Sequence, residues 1–109
     1  MDIEVTSVGH IKETTKILGD KWTPLLLHCF ISNEIVRFCQ IQNLVGGINP
    51  RTLSARLVSL EEQGIIQKLP QRKSSRCDYT LTSKGRALMP ILRGMEDWSK
   101  TYSSSQAAI

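Results

Sequence analysis

The sequence predicts a small, mainly α-helical domain that carries one β-hairpin. At 109 residues and 12.3 kDa, the chain has the size of one domain. Apolar residues recur three and four positions apart through most of it, and between Gly64 and Thr82 this period gives way to two strand-like runs. We therefore expect a single domain over residues 1–109, with an ordered core at 8–102 and a frayed tail at 103–109.

Breaks in the pattern place the elements of the first half. We expect helices at 8–18, 23–30 and 38–44, and a short strand at 35–37. Gly19 and Asp20 end the first helix, and Pro24 is acceptable because it falls in the first turn of the second. The second helix reads LLLHCF in its body, which is apolar on nearly all sides. It is therefore expected to be the most buried element.

The helix with the clearest signature reads NPRTLSARLVSLEEQG. Asn49 is a natural N-cap, and Pro50 suits the first helical position because its missing N–H would be unpaired there anyway. Gly64 can take the left-handed conformation that ends a helix. The apolar stripe of this helix predicts a face buried in the core, formed by Leu53, Leu57 and Leu60.

The opposite face of this helix is small and polar, which suits the major groove of double-stranded DNA. The residues predicted to read base edges are Arg51, Thr52, Ala55 and Ser59. Arg51 is the candidate for a guanine, because a guanidinium can bond O6 and N7 together. Arg56 lies on the flank, where we expect it to bind phosphate. A tight turn at Gly46-Gly47 precedes the helix, so this helix and the one before it form a helix-turn-helix pattern.

Beyond Gly64 the chain is predicted to form a hairpin with a basic tip. The segments IIQKLPQ and CDYTLTS are the strands, and RKSSR lies between them. Residues 63–76 contain four bases and no acid, and we predict that these bases contact DNA phosphates: Lys68, Arg72, Lys73 and Arg76. The net charge of +4 also favours a polyanionic partner. A hairpin after such a helix pair makes the predicted fold a winged helix-turn-helix.

The last helix is expected over 84–102, capped by Thr82 or Ser83 and kinked or split at Pro90. Its apolar stripe can belong to the core of one chain or to a dimer seam. Its length favours the seam, and the predicted dimer interface joins the first and last helices: Ile11, Leu18, Leu88, Ile91, Leu92, Met95, Trp98 and Tyr102. A homodimer would present two recognition helices to major grooves about 10 bp apart or a small multiple of that.

Several classes of function lack support in the sequence. No apolar run reaches the roughly 20 residues of a membrane span, and the start MDIEVTSVGHIK does not resemble a signal peptide, so a cytoplasmic location is expected. Nucleophile–base pairs, paired carboxylates and phosphate-binding loops are not evident, so we expect neither enzymatic activity nor a cofactor.

The three cysteines fit neither a disulfide framework nor a zinc motif, so no metal is expected. Cys29 lies in the most apolar helix and is expected to be inert. Among the others, Cys77 is a better candidate for redox sensing than Cys39, because its neighbour Arg76 favours a thiolate.

Several segments, which follow one another in a fixed order along the chain, resemble one family. ILGDKW, RF, GGINPRTLSARLVSLEEQGII, RCDYTLTSKGRALMPIL and a late Trp98 are similar to the HxlR-type transcriptional regulators, over roughly residues 12–102. The resemblance implies a homodimeric regulator that binds DNA near promoters. Many members of that family carry a cysteine ahead of the first helix, and some use it as a sensor. This chain has Val5-Thr6-Ser7-Val8 there, so that switch does not carry over.

The predicted function is therefore sequence-specific regulation of transcription by a homodimer on a pseudo-palindromic promoter site. Two alternatives stay open: a winged-helix protein–protein adaptor, and a non-specific nucleoid-associated DNA binder. The small, hydrogen-bonding front of the Asn49–Gly64 helix favours DNA, because an adaptor more often presents aromatic anchors there. A small-molecule or redox effector also stays open, although no polar constellation marks a pocket.

Overall fold

The computed structural model describes residues 5–70 and 77–103, and within them helices surround a small antiparallel sheet. The helices are α1 (Val5–Leu18), α2 (Thr23–His28), α3 (Phe38–Val45), α4 (Pro50–Glu62), α5 (Ser83–Arg86) and α6 (Met89–Trp98). A π-helical turn over Ser99–Ser103 continues α6. The strands are β1 (Ile35–Arg37), β2 (Ile66–Leu69) and β3 (Asp78–Leu81). This is the winged helix-turn-helix arrangement that the sequence predicts.

The sheet places the hairpin directly beside the helix-turn-helix. Its strand order is β1-β3-β2, with Val36 opposite Tyr79 and Gln67 opposite Thr80. The backbone N–H of Phe38, the first residue of α3, donates to the carbonyl of Cys77 at 3.0 Å. This hydrogen bond therefore joins the residue before β3 to α3, the first helix of the helix-turn-helix.

The core confirms the predicted back of α4. Leu53, Leu57 and Leu60 are all buried, and Ile41 of α3 is fully buried beside them in the same cluster. Ile48 is buried as well. It precedes the N-cap, and Leu53 follows four positions into the helix, which are the two positions of a hydrophobic staple. The turn between α3 and α4 is thus anchored to the hydrophobic core through Ile48.

Three glycines take the positive φ that their places in the chain require. Gly46 and Gly47 have φ of 72° and 74° in the turn between α3 and α4, and Gly64 has φ of 75° after α4. The side chain of Asn49 accepts a hydrogen bond from the backbone N–H of Arg51 at 2.7 Å. Both the predicted start and the predicted stop of α4 are confirmed.

Three helix ends differ from the sequence prediction, the smallest difference being that α3 ends at Val45 and not at residue 44. α1 begins at Val5, three residues before the expected start. α2 ends at His28 instead of residue 30, because the backbone bonds tighten there: the N–H groups of Cys29 and Phe30 donate to carbonyls only three residues back. α2 is also less evenly buried than expected. Leu26 and Leu27 are fully buried, whereas Leu25 is 46% exposed on the opposite side.

The expected helix at 84–102 is divided into α5, α6 and the π-helical turn. The division follows from Pro90, which has no N–H to donate to the carbonyl of Arg86. Pro90 instead falls in the first turn of α6, where a proline is tolerated. The sequence predicted either a kink or a split at Pro90, and the structure has the split. Of the two predicted caps, Thr82 is the one used, since its hydroxyl accepts a hydrogen bond from the N–H of Gly85 at 3.1 Å.

Within the described part of the chain, no helix combines the length and apolar character that crossing a bilayer requires.

Candidate nucleic-acid interface

The outward face of α4 carries the candidate reading residues. Arg51 and Ala55 are exposed, and Thr52 is half-buried at the edge of the face. Arg51 lies in the first turn, directly after the capped end. In helix-turn-helix proteins the N-terminal residues of the second helix are the ones that meet base edges. The exposed start of α4 is therefore a suitable reading surface.

Ser59 is less available than the other three predicted reading residues. It is half-buried, and its hydroxyl accepts a hydrogen bond from Nε2 of Gln63 at 2.9 Å. It also lies eight residues after Arg51, which is about 12 Å along a helix. Any base contact by Ser59 would be made far from the end of the helix that enters the groove first.

Two exposed residues of this face are not among the predicted reading residues. Ser54 and Val58 lie three and seven positions after Arg51, and both are exposed. Their helical spacing from Arg51 was the available signal. Val58 was missed because an apolar residue in an amphipathic helix suggests core, whereas it is 53% exposed here. An exposed valine at this place can contact a thymine methyl group.

Arg56 lies on the flank of α4, as expected, but it also has a partner within the chain. Its Nη1 is 3.6 Å from Oδ2 of Asp20, which belongs to the loop between α1 and α2. In the sequence, Asp20 indicates only a break after the first helix. Because the two residues are 36 positions apart, no local spacing could indicate this pair.

Asp20 accepts hydrogen bonds at the start of α2, two residues before the N-cap Trp22. Its Oδ1 accepts the backbone N–H groups of Trp22 and Thr23, each at 2.8 Å, and its Oδ2 accepts the Thr23 hydroxyl at 2.6 Å. Partial burial by itself would raise the pKa of the Asp20 carboxyl. The hydrogen bonds from Thr23 and Trp22, together with the charge of Arg56, outweigh it, so the pKa is lowered. Asp20 therefore stays ionised at neutral pH.

The wing is described only at its base. Lys68 is exposed on β2, where it is paired with Tyr79 of β3. The other predicted phosphate contacts, Arg72, Lys73 and Arg76, lie outside the described residues. Tyr79 of β3 is itself buried, and this burial, together with nearby Cys77 and Glu61, raises the pKa of its hydroxyl to about 12. This tyrosine is therefore neutral and structural.

The three thiols lie in three different environments. Cys29 is buried, as expected, and burial raises the pKa of its thiol, which makes it a poor nucleophile. Cys77 is partly buried at the start of β3, whereas Cys39 is exposed in the first turn of α3. Among the described residues, no group of three His, Cys, Asp or Glu side chains is arranged to hold a metal ion.

Two residues predicted at the dimer interface lie in the core of the chain instead. Leu88 and Leu92 are 9% and 5% exposed, because they form the side of the last helical segment that packs on the domain. Leu18 is half-buried. The remaining predicted interface residues are exposed: Ile11, Ile91, Met95, Trp98 and Tyr102. The rings of Trp98 and Tyr102 lie 5.5 Å apart, so they form one aromatic surface.

Comparisons with known proteins agree with this geometry. Residues 17–107 match the family described as HxlR-like helix-turn-helix. An uncharacterised HTH-type transcriptional regulator of Methanothermobacter thermautotrophicus is 34% identical over 90 residues, which are 82% of this chain and 68% of that protein. The uncharacterised HTH-type transcriptional regulator YdeP of Bacillus subtilis is 32% identical over 93 residues, covering 84% of this chain and 72% of that protein.

A solved structure of similar fold is the redox regulator HypR in its reduced form. It superimposes with a TM-score of 0.80 at 26% identity, over 91% of this chain and 98% of that one. Fold, sequence motifs and family match thus point the same way, and the chain belongs to the HxlR-like helix-turn-helix family of transcriptional regulators.

Proposed function

We propose that this protein is a sequence-specific DNA-binding regulator that acts as a homodimer on a pseudo-palindromic promoter site. One observation supports this most: the outward face of α4 begins with exposed Arg51, Ser54 and Ala55, while its back is fixed by three buried leucines. A helix so anchored presents its side chains at constant geometry, which base reading requires.

In this proposal the residues have separate roles. Arg51 binds a guanine edge, and Thr52, Ala55 and Ser59 contact neighbouring edges or thymine methyls. Phosphate contacts come from Arg56 on the flank and from the wing bases: Lys68, Arg72, Lys73 and Arg76. These contacts place the protein on the duplex but carry little sequence information.

The homodimer is proposed from the exposed apolar side chains of α1 and of α6 with its π-helical turn. Ile11, Trp98 and Tyr102 are each more than 60% exposed. Large apolar side chains grouped on terminal helices are typical of a surface that another chain covers. Since both helices pack against α2, which lies next to the helix-turn-helix, a change at this seam can alter the spacing of two reading heads.

The proposal is tested by mixing the protein with a pool of random duplexes at about 150 mM salt and sequencing the duplexes that it binds. The wild type is expected to enrich an inverted repeat. Arg51→Ala is expected to enrich the same repeat with one guanine per half-site relaxed, because each bidentate contact discriminates by about 1–3 kcal/mol. Gln42→Ala, on the half-buried side of α3, serves as a variant outside the reading face.

Retention without enrichment would contradict the proposal and favour the nucleoid-associated alternative. No retention by a folded wild type would favour the protein–protein adaptor. If Arg51→Ala enriches the same motif as the wild type, Arg51 does not read a base. Base reading would then rest on the other residues of α4.

A further inference from the structure

The Asp20–Arg56 pair joins α4 to a loop outside the helix-turn-helix. The atoms are 3.6 Å apart, and the two side chains are 40% and 33% exposed for Arg56 and Asp20, respectively. The pair is therefore at the surface, where the guanidinium is still accessible to another anion. A guanidinium that makes a phosphate contact from this place has to leave the carboxylate or share itself between two anions.

The carboxylate cannot follow the arginine when it moves. Asp20 is held by three hydrogen bonds, two from backbone N–H groups at 2.8 Å and one from the Thr23 hydroxyl at 2.6 Å. Two of these bonds pair the backbone N–H groups of Trp22 and Thr23 at the start of α2, and moving the carboxylate would leave both groups without this partner. Asp20 is thus a fixed negative charge beside the arginine that the proposed interface uses for phosphate.

We infer that the carboxylate of Asp20 competes with DNA phosphate for Arg56 on the flank of α4, and that it thereby lowers the affinity of the protein for every duplex. The inference rests on the proposed DNA binding by α4. It leaves the base-reading face unaffected, because Arg51 and Ala55 have no part in the pair. The consequence is that sequence-independent contacts are weakened while base contacts keep their full strength, so the base sequence determines a larger share of the binding.

The test is a double-mutant cycle with Asp20→Asn and Arg56→Gln, read as binding to a fluorescent 30-bp random-sequence duplex at several salt concentrations. Asparagine keeps an oxygen that can accept the backbone N–H groups, and glutamine removes the guanidinium and its charge while keeping a polar side chain. We expect Asp20→Asn to tighten binding roughly two- to fivefold, the usual effect of an exposed ion pair. The log–log salt slope should steepen by up to about 0.9, one phosphate contact. Neither change should occur in the Arg56→Gln background.

Glu13→Gln is the matched control, because Glu13 is an acid on α1 that pairs with Lys16 at 2.8 Å and removing it changes the net charge equally. An equal gain with Glu13→Gln, a gain that persists without Arg56, or no gain at all would overturn the inference. If Asp20→Asn does not fold, Asp20→Ser keeps a capping hydroxyl and replaces it in the cycle.

A readout without DNA separates this inference from the proposed function. If the wild type binds no duplex, the proposed function fails, and NMR titration still reports on the pair. The pKa of Asp20 should be higher in Arg56→Gln than in the wild type, because the variant removes a favourable charge. An unchanged pKa would show that the two side chains do not interact and would overturn the inference independently.

Discussion

Gly85 shows how a single hydrogen atom in place of a side chain fixes the junction after the wing. A Cβ at this position would lie 2.1 Å from the carbonyl oxygen of Ile65 and 3.0 Å from Cδ2 of Leu81. That carbonyl cannot shift freely, since it accepts hydrogen bonds from both the N–H and the hydroxyl of Thr82. The close approach lets α5 start directly against the first residues after α4.

We expect Gly85→Ala to destabilise the domain by about 1–3 kcal/mol, the usual cost of forcing an extra carbon into a packed site. Gly94→Ala is the control, because Gly94 lies in α6 with nothing within 4 Å of the added carbon, and alanine there should be neutral or stabilising by up to about 1 kcal/mol. Urea unfolding measures both. Equal stability of the two variants would contradict the close approach at Gly85.

At the residue scale, sequence periodicity predicted which residues belong to an apolar stripe but not which of them face the core. The last helical stripe contained Leu88, Leu92, Ile91 and Met95, and the structure buries the first two while exposing the others. Neighbouring positions differ by about 100° in direction, so a stripe two residues wide spans both the core side and the outer side. Only the packed domain decides between them.

At the element scale, local chemistry predicted the starts and stops that depend on one residue. The cap Asn49, a cap at Thr82 or Ser83, the turn glycines and a kink or split at Pro90 were all predicted, because each of these residues acts on backbone within a few positions of itself. The early start of α1 and the pair between Arg56 and Asp20 were not. The exact first residue of a helix often has no strong signal in the sequence, and a contact between residues far apart in the chain has no local signal at all.

A further prediction concerns two basic residues of the wing, the hairpin of β2 and β3. We expect Arg72→Ala with Lys73→Ala to lower the affinity for all duplexes alike and to flatten the salt slope by up to about 1.8 per chain, because phosphate contacts carry little sequence preference. Lys12→Ala with Lys16→Ala on α1 changes the net charge equally and is expected to have a much smaller effect. Filter binding over a salt series measures both. A selective loss on one sequence with an unchanged slope would contradict phosphate binding by the wing.

At the scale of the whole molecule, the exposed apolar side chains of α6 predict the assembly. We expect Met95→Glu to raise the dimer dissociation constant more than tenfold, because a charge would be buried without a partner at the seam. Ile35→Glu is the control, since Ile35 is an apolar residue of similar exposure on β1, outside the two helices that form the proposed seam. Sedimentation equilibrium distinguishes the two. A monomeric wild type, or equal weakening by both variants, would contradict the proposed interface.

The central claim is that two copies of α4 read two half-sites held at a fixed distance. It is tested most directly by measuring affinity for duplexes in which the spacing between the two enriched half-sites is changed by about 5 bp or by about 10 bp. The dimer should lose most of its affinity at 5 bp, since half a helical turn places one half-site on the far side of the duplex. It should recover part of that affinity at 10 bp. Affinity that does not depend on spacing would contradict a dimer that reads both half-sites at once.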